Sequence, residues 1–358
     1  MAIFIWKINP IMELPKLSFY KKYNLIFKAI IAGGILGLLY TAITDSGSEN
    51  IGLKLVLGLI IGISFGLVVV TFEKYFIYLN QYSFVKAMLL KAVIYSISIL
   101  IFLLFFVVLF TSILEHIALQ EAFNQYIYKR LSGDFIFSLG ASVFLILFLE
   151  ISSLLSTGFF FNYFTGKYHR PIQEERIFMF VDVKSSTTLA EQLGDILYSG
   201  LLQDLFNDFT DAILASRAEV YQYAGDEIIL TWKSAAGIKE NRCLYCFYLL
   251  KESIQKRQDY YLKTYNIFPK FKAGMHIGTA VTTWVGKVKK EIVYHGDLLN
   301  TTSRIQCKCN ELNHDFVISE SMRNAVLVDQ SILYIQQGEI ELRGKAKPLQ
   351  LFTVDFKI

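Results

Sequence analysis

Four apolar runs, Leu25 to Thr44, Leu53 to Phe72, Met88 to Leu114 and Phe135 to Leu155, leave the first half of this chain few structures to choose from. Each is near or above the ~20 residues that an α-helix needs to cross the hydrocarbon of a bilayer. Lipid offers no partners for backbone N–H and C=O groups, so such a span must satisfy them internally, as a helix does. Four membrane helices are expected. They explain a composition, 54% hydrophobic and 15% aromatic over 358 residues, that is too apolar for a soluble protein and long enough for two domains.

Charge orients these helices. Lys7, Lys16, Lys21 and Lys22 precede the first, within a start too short in apolar residues for a secretory signal. The loop Asp45 to Asn50 has no Lys or Arg, the next loop has Lys74, Lys86 and Lys91, and the tail begins with Lys167 and Arg170. The positive-inside rule then puts both termini in the cytoplasm, for a multi-pass protein of the cell (inner) membrane. Lys129 and Arg130 run against this pattern, although Glu115, Glu121 and Asp134 share their loop. Gly58, Gly62 and Gly66 recur at every fourth position, a spacing that lets helices approach closely, here within one bundle. Glu150, in the fourth run, is expected to reach the interface or a polar partner. Phe159 to Phe164 forms an aromatic belt at the inner face, and Thr165 to Glu175 a short polar connector. The expected division is 1–158 membrane domain, 159–175 connector and 176–358 cytoplasmic domain. Flexible residues inserted near Gly166 are expected to uncouple membrane state from the activity of the second half.

In that second half, Ile177-Phe178-Met179-Phe180-Val181 ends at Asp182 and runs into Val183-Lys184-Ser185-Ser186-Thr187, which reads as a buried strand followed by a helix start. Glu219 to Tyr223 and Ile228 to Trp232 flank Ala224-Gly225-Asp226-Glu227, a β-hairpin whose turn exposes Asp226. Singly, each aspartate has an ordinary explanation as a helix cap or a turn residue. If the two strand tips are neighbours, they form an oxygen site for Mg²⁺ or Mn²⁺, which take few protein oxygens and complete their shell from phosphate and water. Backbone amides of Lys184, Ser185, Ser186 and Thr187 would suit the phosphates. Further on, Asn300 and Arg304 stand at i and i+4 on one helix face, where an amide and a guanidinium can orient a ribose and neutralise a phosphoryl transition state.

With these motifs in order, the segment from Arg176 to Val354 resembles the class III nucleotidyl cyclases, the family of adenylyl and guanylyl cyclases. The resemblance implies that Asp182 and Asp226, with the Val183 carbonyl, hold two metal ions per active site, and that Asn300 and Arg304 are the transition-state pair. It implies that Arg343 or Lys345, in Leu342-Arg343-Gly344-Lys345, holds the triphosphate. It also implies a homodimer, because in this family metals sit on one catalytic domain and the Asn/Arg pair on the other. Two positions depart from the adenylyl pattern. Gln222 stands where a purine-reading Lys is common, and Val293 where Asp or Thr is common. Gln both donates and accepts whereas Val does neither, so the phosphate chemistry is intact and the base is open, with ATP favoured on family frequency.

The expected architecture is an all-α bundle of four membrane helices followed by an α+β domain, a mixed sheet with helices on one face. Two other readings compete. Ala224 to Ile228 looks like a diguanylate cyclase hairpin, but that class does not require Asn300 and Arg304. A non-catalytic membrane receptor would let the metal and Asn/Arg positions decay, and all four are kept. His276 reads as a hydrogen-bonded structural residue. Cys243, Cys246, Cys307 and Cys309 lie in helical patterns in a reducing compartment, which argues against disulfides and against zinc. No basic patch with groove-reading elements suggests nucleic acid.

Overall fold

The computed structural model describes residues 17–44, 51–76, 84–114, 116–154, 162, 165–340 and 348–357. The chain divides into two compact units, one within Phe19–Leu155 and one from Ser156 onward.

In the first unit, α1 (Leu17–Thr44), α2 (Ile51–Phe76), α3 (Phe84–Leu114) and α5 (Leu131–Leu154) coincide with the four apolar runs. Three of them contain stretches long and apolar enough to cross a membrane, Ile51–Val69, Val85–Ile113 and Leu131–Ile151, and α1 adds the shorter Ala29–Thr44. Their outward side chains are apolar, Phe105 being 61% and Ile136 71% exposed. Water opposes that arrangement and a bilayer accepts it. The glycine ladder packs α1 on α2. A Cβ on Gly62 would lie 2.8 Å from the Gly33 carbonyl carbon, and one on Gly37 2.8 Å from that of Gly58. Lys91 Nζ lies 3.5 Å from Glu150 Oε1, so the intramembrane carboxylate has a polar partner.

A fifth helix, α4 (Leu119–Lys129), was not expected. It is amphipathic, burying Ala122 and Tyr126 and exposing Leu119, Phe123 and Ile127 along one side. That pattern suits a helix lying in the membrane interface. It also accounts for the misfit of Arg130 with the charge rule. Arg130 lies beside the buried pair in which the Tyr40 hydroxyl donates to Asp134 Oδ1 at 2.8 Å, so it is not a loop cation facing water alone.

The second unit is built on β1 (Ile172–Val183), β2 (Glu219–Ala224), β3 (Glu227–Lys233), β4 (Phe271–Val285), β5 (Glu291–His295), β6 (Phe316–Ser319), β7 (Ile332–Ile340) and β8 (Leu349–Phe356). They form one mixed sheet in the order β2-β3-β1-β4-β6-β8-β7, with β5 paired to β4. All pairings are antiparallel except β4 with β6. β1 is central because both its faces are apolar. Ile177, Met179, Val181 and Val183 join Leu201, Leu205, Phe247 and Leu250 of α6 (Ser186–Asp208) and α9 (Arg242–Gln255) in the main core. Phe178 and Phe180 join Ile229, Tyr294 and Leu298 in a second core on the opposite face.

Helices therefore cover both faces, not one as expected. The reason is α11 (Asp297–Glu311), which lies on the Phe178 face, over β4. Gly274 and Gly278 of β4 leave room for it. A Cβ on Gly274 would sit 2.5 Å from the Gln306 Cα, and one on Gly278 3.3 Å from Leu298 Cδ1. The helical stretch that starts after β1 is broken. Gly194 leaves helical geometry at φ 72° within α6, and α7 (Thr210–Ala215) follows separately. Between β3 and β4 lie α8 (Ser234–Ile238), α9 and α10 (Gln258–Tyr265).

Arg176 fastens the end of the sheet remote from the Asp226 turn. It is 2% exposed, donates to Glu219 Oε2 at 2.9 Å and Glu174 Oε2 at 3.1 Å, and lies 5.0 Å from the centre of the Tyr294 ring. Arg176→Ala removes the cation from Glu219 while Glu174 keeps Lys167 at 3.2 Å, and it is expected to cost about 2 kcal/mol, the scale of hydrogen bonds to charged groups, read as a lower urea midpoint at unchanged m-value.

Candidate active site

β1 and β3 run antiparallel with Asp182 opposite Glu227, and β4 on the other side places Lys272 opposite Asp182. Asp226 occupies the two-residue turn between β2 and β3, where Gly225 takes φ 64°, a left-handed value at the first turn position that glycine adopts without a Cβ penalty. The Val183 amide donates to the Asp226 carbonyl at 3.3 Å. The two aspartates, read from separate motifs, thus share one rim of the sheet, with Val183 between them.

Three carboxylates crowd this rim. Burial, and the nearby charge of Asp226, raise the pKa of Asp182 against the pull of Lys272 and Gln306. Burial and the charges of Asp182 and Asp226 push Glu227 up to about 7. Asp182 Oδ2 accepts from Gln306 Nε2 at 2.8 Å and lies 3.2 Å from Lys272 Nζ. The hard oxygens of Asp182 and Asp226 are of the chemistry a divalent cation takes, while among the described residues no three His, Cys, Asp or Glu side chains converge on one point. Lys272 and Gln306 touch Asp182 and were not among the residues the sequence singles out. Each left a faint signal, Lys272 as a charge between Phe271 and Ala273 in a buried strand, and Gln306 as a polar residue on the apolar side of α11.

The turn after β1 differs from expectation at one position. The Lys184 amide donates to the Lys270 carbonyl at 2.8 Å, and its ammonium pairs with Asp315, which also takes Lys251 Nζ at 2.7 Å. That amide is committed to the fold. Ser185 takes φ 56° and α6 begins at Ser186, so the amides left at the helix start are those of Ser185, Ser186 and Thr187.

Asn300 and Arg304 lie one turn apart on α11, Asn300 exposed and Arg304 half-buried. Gln306 is two residues beyond Arg304, about 200° around the helix at 3.6 residues per turn. The side of α11 that touches Asp182 is therefore nearly opposite the side that carries Arg304. Arg304 Nη1 is shielded from solvent yet has no hydrogen-bond partner among the described residues.

Gln222 is exposed on β2 opposite Ile229, after a register shift, and Val293 is half-buried on β5 opposite Thr283. Their sequence neighbours Tyr221 and Tyr294 pack edge to face at 5.2 Å, both against Phe178. The two positions thus flank one aromatic cluster. Arg343 and Lys345 lie outside the described residues. His276 Nδ1 lies 2.7 Å from Ser319 Oγ, a structural bond between strands. The four cysteines are free thiols; Cys243, Cys246 and Cys309 are buried.

A mixed sheet with paired carboxylates at the ends of its central strands, and an amide and guanidinium on a covering helix, defines a nucleotidyl-cyclase type of domain. The chain belongs to the family of adenylate and guanylate cyclase catalytic domains, whose model matches residues 170–355. It is 31% identical over 219 residues to adenylate cyclase 2 of Rhizobium meliloti (strain 1021), covering 61% of this chain and 60% of that one. It is 23% identical over 189 residues to adenylate cyclase 1 of the same organism, covering 51% of this chain and 28% of that one. The chain thus spans less than two thirds of the length of either relative. A solved bacterial light-regulated adenylyl cyclase shares the fold, with a TM-score of 0.52 at 16% identity over 60% of this chain and 64% of that one.

Proposed function

We propose that this protein is a membrane-anchored cyclase that converts ATP to 3′,5′-cyclic AMP and pyrophosphate, at sites shared between two copies of the chain, with the catalytic unit in the cytoplasm. The observation that carries the shared site is Arg304. A guanidinium nitrogen shielded from solvent and without a partner is costly, and on α11 Arg304 lies nearly opposite Gln306, the residue that touches its own chain's Asp182. A second copy supplies both what the arginine lacks and the substrate it acts on.

Asp182, Asp226 and the Val183 carbonyl are the groups to hold the metal. Mg²⁺ or Mn²⁺ held there would supply positive charge that favours ionisation of the ribose 3′-hydroxyl and offsets the charge of the triphosphate. The 3′-hydroxyl gives up its proton to solvent, its oxygen bonds to the α-phosphorus as the bond from that phosphorus to the α–β bridging oxygen breaks, and pyrophosphate leaves. Asn300 of the partner orients the ribose, and Arg304 of the partner neutralises the charge that builds on the α-phosphoryl oxygens. The amides of Ser185 to Thr187 bind phosphate oxygens at the start of α6, and Arg343 or Lys345 completes the triphosphate grip. Gln222 and Val293 meet the base, and the names of the two Rhizobium relatives favour adenine.

The test is turnover by full-length protein in lipid, given ATP, GTP, CTP and UTP separately with Mg²⁺ or Mn²⁺, and the products resolved by mass. Cyclic AMP from ATP is expected. Cyclic GMP alone would keep the cyclase and change the base; no product from any triphosphate with either metal would favour a receptor that keeps the fold without the chemistry.

A further inference from the structure

The segment that precedes β1 is folded onto the sheet. Pro171 has no N–H to donate, and the pairing of β1 with β4 begins just after it, at Ile172 opposite Thr282. β4 runs on to Val285, and its Thr283 and Trp284 are met by the chain before Pro171 instead. The Trp284 amide donates to the Tyr168 carbonyl at 3.1 Å, and the indole Nε1 donates to the Lys167 carbonyl at 2.9 Å. A turn closed by the His169 amide on the Gly166 carbonyl at 3.2 Å presents these carbonyls. Tyr168 is 2% exposed and takes φ 69°, a left-handed value that a bulky residue adopts only where its surroundings impose it. Its hydroxyl donates to Glu174 Oε1 at 2.8 Å.

Both sequence neighbours of Val293 are held through these contacts. β5 pairs with β4 so that Ile292 stands opposite Trp284, Val293 opposite Thr283 and Tyr294 opposite Thr282. Trp284 is fixed by Lys167 and Tyr168. Tyr294 is fixed through Glu174, because that acceptor of the Tyr168 hydroxyl also accepts from Arg176, whose guanidinium lies 5.0 Å from the centre of the Tyr294 ring. Among the described residues β5 pairs with β4 alone, so its place follows that of the β4 end. Asp182, by contrast, stands near the other end of β1, about 30 Å from Ile172 at the rise of a strand.

We propose that Tyr168 and Trp284 are positioning residues for the base of the nucleotide, holding the end of β4 so that Val293 on β5 meets that base. The proposal rests on the reading of Val293 given above. The strained backbone of Tyr168 is kept because it delivers two carbonyls to one tryptophan. The phosphate groups of the nucleotide do not depend on this contact, since the residues that meet them lie at the far end of β1 or beyond it.

The test is equilibrium binding of radiolabelled α,β-methylene-ATP, which cannot release pyrophosphate, to the full-length chain in phosphatidylcholine nanodiscs with Mn²⁺. Tripolyphosphate, a competitor without a base, is the comparison. Trp284→Phe removes the indole donor and keeps the backbone bond, and Tyr168→Phe removes the hydroxyl and keeps the ring. Each is expected to weaken the nucleotide analogue about fivefold, the scale of one hydrogen bond, and to leave tripolyphosphate unchanged. A role in folding alone would lower the number of binding sites and not the affinity of those that remain. Nucleotide affinity unchanged in either variant, or tripolyphosphate weakened as much as the nucleotide, would overturn the proposal. Val293→Ala separates it from the reading on which it rests. Weaker nucleotide binding in Val293→Ala alone would sink the positioning role and keep Val293 at the base, whereas no effect of Val293→Ala would remove both. Binding is read directly, so the result does not depend on cyclase activity.

Discussion

Asp226→Asn and Arg304→Ala chains, each inactive alone, are expected to recover about a quarter of the unaltered turnover when mixed in equal amounts. The first lacks a metal ligand but keeps Asn300 and Arg304, and the second is its converse. Random pairing makes about half the dimers mixed, and each mixed dimer has one site with all its groups intact and one with both defects. Alone, each variant should fall by about 10³-fold or more, the scale of losing a charge that acts on a phosphoryl transition state. Asp226 is preferred to Asp182 for this experiment because Asp182 also accepts from Gln306 and pairs with Lys272, so its replacement disturbs α11 as well. Asp182→Asn should nevertheless abolish turnover. Failure to recover activity, with both chains folded and paired, would place a complete site within one chain.

The second large effect is expected from a single methyl group. Gly274→Ala puts a Cβ against the backbone nitrogen of Gln306 and 2.5 Å from its Cα. These are main-chain atoms of a helix, which cannot rotate aside, so α11 must lift from β4. The expected cost is about 3 kcal/mol, the upper end for overpacking a core. Turnover should be lost with it, because the same displacement moves Asn300, Arg304 and the Gln306 bond to Asp182. Gly278→Ala is the control. Its Cβ would meet the end of the Leu298 side chain at 3.3 Å, which can yield, so both stability and turnover should stay near those of the unaltered chain. Urea midpoints and hydrogen exchange of the α11 amides measure both. Equal effects of the two substitutions would mean that the helix is not seated as described.

The residues that the sequence singles out are those whose chemistry is local. Asp182 ends an apolar strand, Asp226 sits in a hairpin turn, and Asn300 and Arg304 share a helix face; each is visible within a dozen residues. Lys272 and Gln306 become part of the site only through pairings with Asp182 across 90 and 124 positions, and no local pattern specifies such a register. The same limit explains the misplaced α11. Its apolar side is evident from Leu298, Ile305 and Cys309, but periodicity does not say which face of a sheet receives it. Gly274 and Gly278 held that information as spacing, with no neighbour in the sequence to interpret it. The helix α4 was missed for a different reason. Its apolar side amounts to a few residues among polar ones, so it is silent to a search for membrane spans and legible only by its amphipathic turn.

In a dimer of the proposed kind, α11 is a single rigid body with a duty at each of two reaction centres. Its Gln306 side steadies the aspartate of its own chain, while its Arg304 side serves the triphosphate held by the other. A substrate that draws Arg304 toward it therefore tugs on the Asp182 of the opposite site through one helix. The two centres of such a pair would not turn over independently, and occupancy of one would be written into the rate constant of the other.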